Sequence, residues 1–151
     1  MRIGIDDLSG TEIADFLAGH LADMARQSPA ESMHALDLDG LREPSVTFWT
    51  VRDGAQILGC GALSELAPDA GEVKSMRTDP RFRGRGVAAA VLEHLITEAR
   101  RRGYRTLSLE TGAQDFFAPA RRLYARYGFV PCPPFAGYAE DPNSVYLRLE
   151  L

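Results

Sequence analysis

The sequence predicts an α/β fold with a mixed central sheet flanked by helices, and three observations carry that prediction. A strand, EVKSMRT at 72–78, runs through a glycine-and-arginine loop into an amphipathic helix. A further strand, TLSLE at 106–110, follows it, so a helical crossover makes the two strands parallel. VTFWTV at 46–51 and QILGCGAL at 56–63 flank Asp53-Gly54, a turn signal that predicts an antiparallel hairpin. The chain has 151 residues, 45% of them apolar, with no linker, repeat or low-complexity run, so residues 1–151 read as one domain around one core.

Element by element, residues 2–5 read as a short strand. SGTE at 9–12 has the spacing of a capping box, so a helix should follow, with Ile13, Phe16, Leu17, Leu21 and Met24 as its apolar stripe. His20 falls on the same face, where a histidine is a packed or rim residue more often than a catalyst. Residues 28–43 are less periodic, could hold a short helix, and are where acceptor-side residues are sought. After the hairpin a second turn sits near 69–71. The long helix shows Val87, Val91, Leu92, Leu95, Ile96 and Ala99 near a 3.6-residue period and ends at Gly103, a residue suited to a left-handed C′ position. Arg100, Arg101 and Arg102 look like a nucleic-acid patch, but cations in a last helical turn also complement its dipole. Pro119 suits the first turn of a further helix with Ala120, Leu123, Tyr124 and Tyr127 as its stripe, stopped by Gly128. Residues 129–130 and 145–149 close the sheet.

A formal charge of −4 argues against a general nucleic-acid binder, whose footprint is normally basic. No long apolar stretch and no signal-peptide pattern is present, so a cytoplasmic location without membrane attachment is the expectation. Cys60 and Cys132 fit a reducing compartment as core thiols, and neither has a metal-like spacing.

Within RTDPRFRGRGVAAA, from Arg77, Gly84 and Gly86 can adopt backbone angles that a β-carbon forbids. Successive N–H groups can therefore turn toward an anion at the positive end of the helix, with Arg81, Arg83 and Arg85 adding charge. GRGVAA also satisfies the dinucleotide pattern G-x-G-x-x-G/A, with Glu110 ending the next strand where a ribose-binding acid belongs. That pattern wants its glycines directly after the strand, whereas DPRFR intervenes here. The absence of a GK[ST] ending removes a Walker-type loop.

RFRGRG at 81–86 resembles the [Q/R]-x-x-G-x-[G/A] acyl-CoA signature of the Gcn5-related N-acetyltransferases, the GNAT family. EVKSMRTDP looks like that family's fourth strand, and ARRLYARYGF at 120–129 resembles its A-x-x-L-Y-x-x-x-G-F segment. The resemblance implies the acyl-CoA N-acyltransferase fold, with a splayed sheet. It places the pyrophosphate of coenzyme A on the amides of Arg83, Gly84, Arg85, Gly86, Val87 and Ala88. It runs the pantetheine arm along the main chain of Met76, Arg77 and Thr78. Tyr124 matches the family tyrosine near the thioester sulfur. Glu72, six residues before Thr78, resembles the fourth-strand glutamate that acts as general base in several members; its other reading is an exposed strand-edge acid paired with Lys74. Glu110, His34 and Asp141 are rival bases. Many relatives carry an asparagine where this chain has Phe117; Arg121 and Arg122 could meet phosphates instead, or be solvated helix arginines.

The implied activity is acetyl-CoA-dependent acetylation of a primary amine on a small molecule or peptide, by direct attack in a ternary complex and without a metal. An acyl-CoA-binding module without turnover and a dinucleotide-dependent oxidoreductase are the alternatives, and a homodimer is left open. Phe48, Trp49, Phe116, Phe117, Phe135 and Tyr138 could wall an apolar pocket or belong to the core.

Overall fold

A computed structural model describes residues 1–34 and 36–151. The chain runs β1 (Arg2–Ile5), α1 (Thr11–Gln27), α2 (Leu38–Leu41), β2 (Val46–Asp53), β3 (Gln56–Ala67), β4 (Ala70–Thr78), α3 (Val87–Arg101), β5 (Thr106–Gly112), α4 (Ala118–Arg126), β6 (Val130–Pro131) and β7 (Ser144–Glu150). Short 3₁₀ turns cover Ala30–Ser32, Pro80–Phe82 and Asp115–Phe117. Among the described residues the strands form one mixed sheet in the order β1-β2-β3-β4-β5-β7-β6, with β4 and β5 parallel and the other neighbours antiparallel. The mixed architecture read from the crossover and the hairpin is thus the observed one, with Gly54 at φ +60° in the hairpin turn.

The helix with the clearest periodicity is also the one that organises the core. α3 buries Val87, Val91, Leu92, Leu95, Ile96 and Ala99, the stripe read from the sequence, and Gly103 follows it at φ +82°. Each buried aliphatic side chain contributes about 1.5–3 kcal/mol relative to exposure. α3 comes close to β3 because Gly59 and Gly61 lack side chains: a Cβ at Gly59 would stand 2.7 Å from Val87, and one at Gly61 2.6 Å from Val91. Val73, Leu107, Leu109, Tyr124 and Phe129 join this cluster. A second cluster on α1, α2, β2 and β3 holds Ile13, Leu17, Leu41, Phe48, Ile57, Cys60 and Ala62.

The capping box is not formed. Gly10, which has no side chain to offer, is the N-cap of α1, and the Ser9 hydroxyl, one residue too early to cap the helix, turns back to Asp7 Oδ1 at 2.6 Å. Glu12 instead reaches Arg52 at 3.2 Å. Two of the three arginines at the end of α3 pair with a carboxylate one turn back. Arg101 and Arg102 bond Glu98 at 2.5 and 3.0 Å, and Arg102 also reaches Thr47 and lies over Trp49.

β4 and β5 pair only from Ala70↔Thr106 to Val73↔Leu109. Beyond that point β4 carries a bulge, an extra residue between its pairings with Cys60 and Ala62, with Ser75 at φ +56°. Two strands that part after four pairs leave a slot in the middle of the sheet, and the functional cavities open there.

Candidate active site

A groove of about 560 Å³ is walled by Met76, Arg77 and Thr78 from β4, Arg83, Gly84 and Gly86 from the loop, the first turn of α3, and Phe116 to Arg126 around α4. It is of the size that takes a cofactor-class ligand. Asp79 ends β4 by accepting from Arg81 N–H at 2.9 Å and so caps the Pro80–Phe82 turn that leads into the loop. Gly84 and Gly86 lie at φ +78° and +79°, and a Cβ on either would meet nothing within 4 Å, so the cradle is open. Among the described residues, the N–H groups of Arg83, Gly84, Arg85 and Gly86 donate to no backbone group. Those of Val87 and Ala88 belong to a first helical turn, where no intrahelical acceptor exists. Six consecutive donors at the positive end of a fifteen-residue helix suit a pyrophosphate.

The arginines divide. Arg83 lines the groove and stands over Phe116, whereas Arg85 lies over Phe82 and offers the cradle its backbone. Arg81 is bound to Asp79 by its guanidinium at 2.9 and 3.1 Å, so its charge is spent locally. Arg121 donates to the carbonyls of Gly112 and Gln114 at 2.6 and 2.9 Å and fixes the end of β5. Arg126, which the sequence reading left out, lines the groove instead. The Arg77 side chain turns to α1, 2.6 Å from Asp23 and stacked on Phe16.

A smaller pocket of about 100 Å³ adjoins the groove and contains Glu72, Lys74, Glu110, His34 and Tyr138. The two cavities share His20, Met24, Met76, Phe117, Ala120 and Tyr124 as walls. Phe117, in place of the expected asparagine, packs against Gly112, where any Cβ would strike its ring. Tyr124 is 5% exposed at this junction. Burial, with the Glu110 charge second, raises its phenol well above the ordinary tyrosine range. Burial likewise raises the Glu110 carboxyl.

Glu72 is no exposed edge acid. It is 4% exposed, accepting 2.6 Å from the Tyr138 hydroxyl and 3.2 Å from Lys74 Nζ. The pairing with Lys74 along one strand face is present, but inside the pocket. His34 lies edge-on to Tyr138 with ring centroids 4.8 Å apart. Asp141 instead accepts from Asn143 N–H at 2.8 Å and does not line the pocket. His20, a rim candidate in the sequence, is 7% exposed in the wall between the cavities. Burial, with Arg77's charge second, pushes it down to about 4, so it is neutral at pH 7. Of the aromatics, Phe48 and Trp49 belong to the core, Phe116 and Phe117 wall the groove, and Tyr138 enters the pocket. Cys60 is buried in the second cluster, its thiol pushed up to about 12, and Cys132 is half-buried. Met24 and Asp23 were missed because nothing in the spacing of α1 tells which of its turns will face a slot between two later strands.

Residues 13–129 match the acetyltransferase (GNAT) family. The chain is 51% identical over its whole length to the uncharacterized N-acetyltransferase YsnE of Bacillus subtilis, which it also covers completely. A crystal structure of a Klebsiella pneumoniae protein assigned as an acyl-CoA N-acyltransferase superposes with a TM-score of 0.83 at 30% identity, covering 99% of this chain and 97% of that one. A GNAT-family acetyltransferase of Elizabethkingia anophelis, with acetyl-CoA bound, shares the fold at 18% identity and a TM-score of 0.67, over 99% and 97% of the two chains. No helix among the described residues is long and apolar enough to cross a membrane. The matched segment spans the cradle, the bulged strand and the Tyr124 helix, which removes the dinucleotide reading of the glycine loop: the chain belongs to the GNAT family and is an N-acetyltransferase.

Proposed function

We propose that this enzyme transfers an acetyl group from acetyl-CoA to a primary amine of a small molecule or peptide by direct attack in a ternary complex. The observation that carries this reading is the junction at Tyr124, where a groove sized for coenzyme A meets a small pocket containing a buried carboxylate. Acetyl-CoA, the ligand bound by the Elizabethkingia relative, supplies the activated acyl carbon.

The residues divide the task. The amides of Arg83, Gly84, Arg85, Gly86, Val87 and Ala88 hold the pyrophosphate, and the main chain of Met76, Arg77 and Thr78 guides the arm into the slot between β4 and β5. An alkylamine is mostly protonated at neutral pH and needs a base before its lone pair can attack. Glu72 takes that proton, directly or through a water. As the new C–N bond forms and the C–S bond breaks, Tyr124 donates a hydrogen bond to the departing sulfur. Its raised phenol favours that bond over full proton transfer, since a thiol near 8.5 already leaves as a good anion. One ammonium and one thioester become one amide, one thiol and one released proton. Holding both reactants at the junction supplies proximity that outweighs either acid-base effect. A pocket of about 100 Å³ accepts the reacting end of the acceptor and leaves any larger remainder outside.

The test is a screen of amines with acetyl-CoA, reading free thiol, repeated with Tyr124→Phe. The variant should lose about 10²-fold in kcat with the best amine. An unchanged rate removes Tyr124 from the chemistry, and no turnover with any amine overturns the reading.

A further inference from the structure

Residues 132–143, the connection from β6 to β7, fold back over the sheet and are pinned at several points. Cys132 N–H bonds the Tyr146 carbonyl at 2.9 Å, the Tyr146 hydroxyl bonds the Ala139 carbonyl at 2.8 Å, and Ser144 N–H bonds the Asp141 carbonyl at 3.0 Å. A tight reversal, with Ala136 at φ +50°, Gly137 at φ +83° and Tyr138 N–H bonded to the Phe135 carbonyl at 2.9 Å, turns Tyr138 inward. Its ring is then held edge-on by Phe135 at 5.2 Å and His34 at 4.8 Å, with Tyr146 at 5.7 Å.

This much packing fixes one hydroxyl, and that hydroxyl closes a triangle. Lys74 Nζ donates to Tyr138 Oη at 2.8 Å and to Glu72 Oε2 at 3.2 Å, and Tyr138 Oη–H donates to Glu72 Oε2 at 2.6 Å. The polarity is unambiguous. An ammonium only donates, so the tyrosine oxygen accepts from it and has its single proton left for the carboxylate. Both donors converge on Oε2, which leaves Oε1 outside the triangle.

We propose that Tyr138 is a positioning residue for Glu72: anchored by the 132–143 strap, it joins Lys74 in holding one carboxylate oxygen so that the other is presented to the acceptor amine. Lys74 alone would not suffice, because a long flexible side chain bonded to a neighbour on its own strand leaves the carboxylate free to rotate with it. The inference rests on Glu72 being the group that takes the amine's proton.

A double-mutant cycle tests it. Tyr138→Phe removes one oxygen and keeps the ring contacts, so kcat should fall about tenfold while the KM for acetyl-CoA stays at its wild-type value. In a Glu72→Gln background the same change should cost nothing further. Wild-type kcat in Tyr138→Phe overturns the inference. So does a loss that multiplies with that of Glu72→Gln, or a loss accompanied by a raised KM for acetyl-CoA, the mark of a merely structural role. If Glu72→Gln itself turns over at the wild-type rate, the base assignment falls and the inference falls with it, an outcome distinct from the others.

Discussion

The glycine loop that borders the larger groove is one uninterrupted run, residues 83–88, that offers main-chain N–H groups, whereas the smaller pocket gathers His20, His34, Glu72, Glu110 and Tyr138 from five separate segments. The two share a wall, yet one is made of backbone and the other of side chains. An anion can be held by any residues that leave their amides free, so the sequence there need only supply glycine and a helix start. Proton transfer from an amine needs particular functional groups at particular distances, and only tertiary packing delivers those.

The sharpest way to break that contrast is Glu72→Gln. If side chains run the pocket and backbone the cradle, kcat should drop by 10²-fold or more while the affinity for CoA, measured by calorimetry, stays put. Glu110→Gln serves beside it. The Glu110 carboxyl also faces the pocket, but bears no ion pair among the described residues, so its loss should cost less. A larger loss in Glu110→Gln would transfer the base to β5.

His20 sits where the two regions meet, and its burial gives a pH signature. Because it is pushed down to about 4, the unfolded chain binds a proton between about pH 6.5 and 4 that the folded chain refuses. Stability from this group is complete above pH 6.5 and is lost as pH falls, by about 2 kcal/mol between pH 7 and pH 5. Glu110, raised by burial, works in the opposite sense above the ordinary carboxylate range. Glu98, down to about 2, loses its contribution only at lower pH. Subtracting the urea midpoints of His20→Gln from those of the wild type at both pH values cancels the carboxylates. A difference that does not change with pH would mean that His20 is hydrated, and that the wall between groove and pocket is open there.

What could be read from the sequence follows the same division. The α3 stripe, the Gly103 stop, the Asp53-Gly54 hairpin and the parallel β4–β5 pair were all legible, because each depends on a period, a turn residue or a single helical crossover between neighbouring elements. The capping box failed because the helix starts at Thr11 with Gly10 as its N-cap, which leaves Ser9 one residue too early, and a four-residue pattern does not fix that start. The bulge at Ser75 was invisible, since nothing in EVKSMRT marks an inserted residue. Tyr138 looked like one aromatic among six. It is 64 residues from Lys74 and 66 from Glu72, and only the strap's reversal brings it to them. The place of Arg121 was hidden for the same reason: its carbonyl partners, at and just past the end of β5, are ones that a helical reading does not see.

The smallest effect isolates the backbone side of the comparison. Gly86 and Gly103 stand at opposite ends of α3 with φ of +79° and +82°, so valine at either forces a β-branched residue into the left-handed region. Each change should cost stability by a similar amount, about 1–2 kcal/mol. They should differ in CoA binding. A valine at 86 fills space that is open and adjoins the free amides, and should weaken CoA about tenfold, with kcat at saturating acetyl-CoA close to wild type. A valine at 103 lies at the far end of the helix and should leave CoA affinity alone. If both variants lost affinity equally, the cradle's glycines would be serving only the fold of α3, and the division between a backbone site and a side-chain site would not hold.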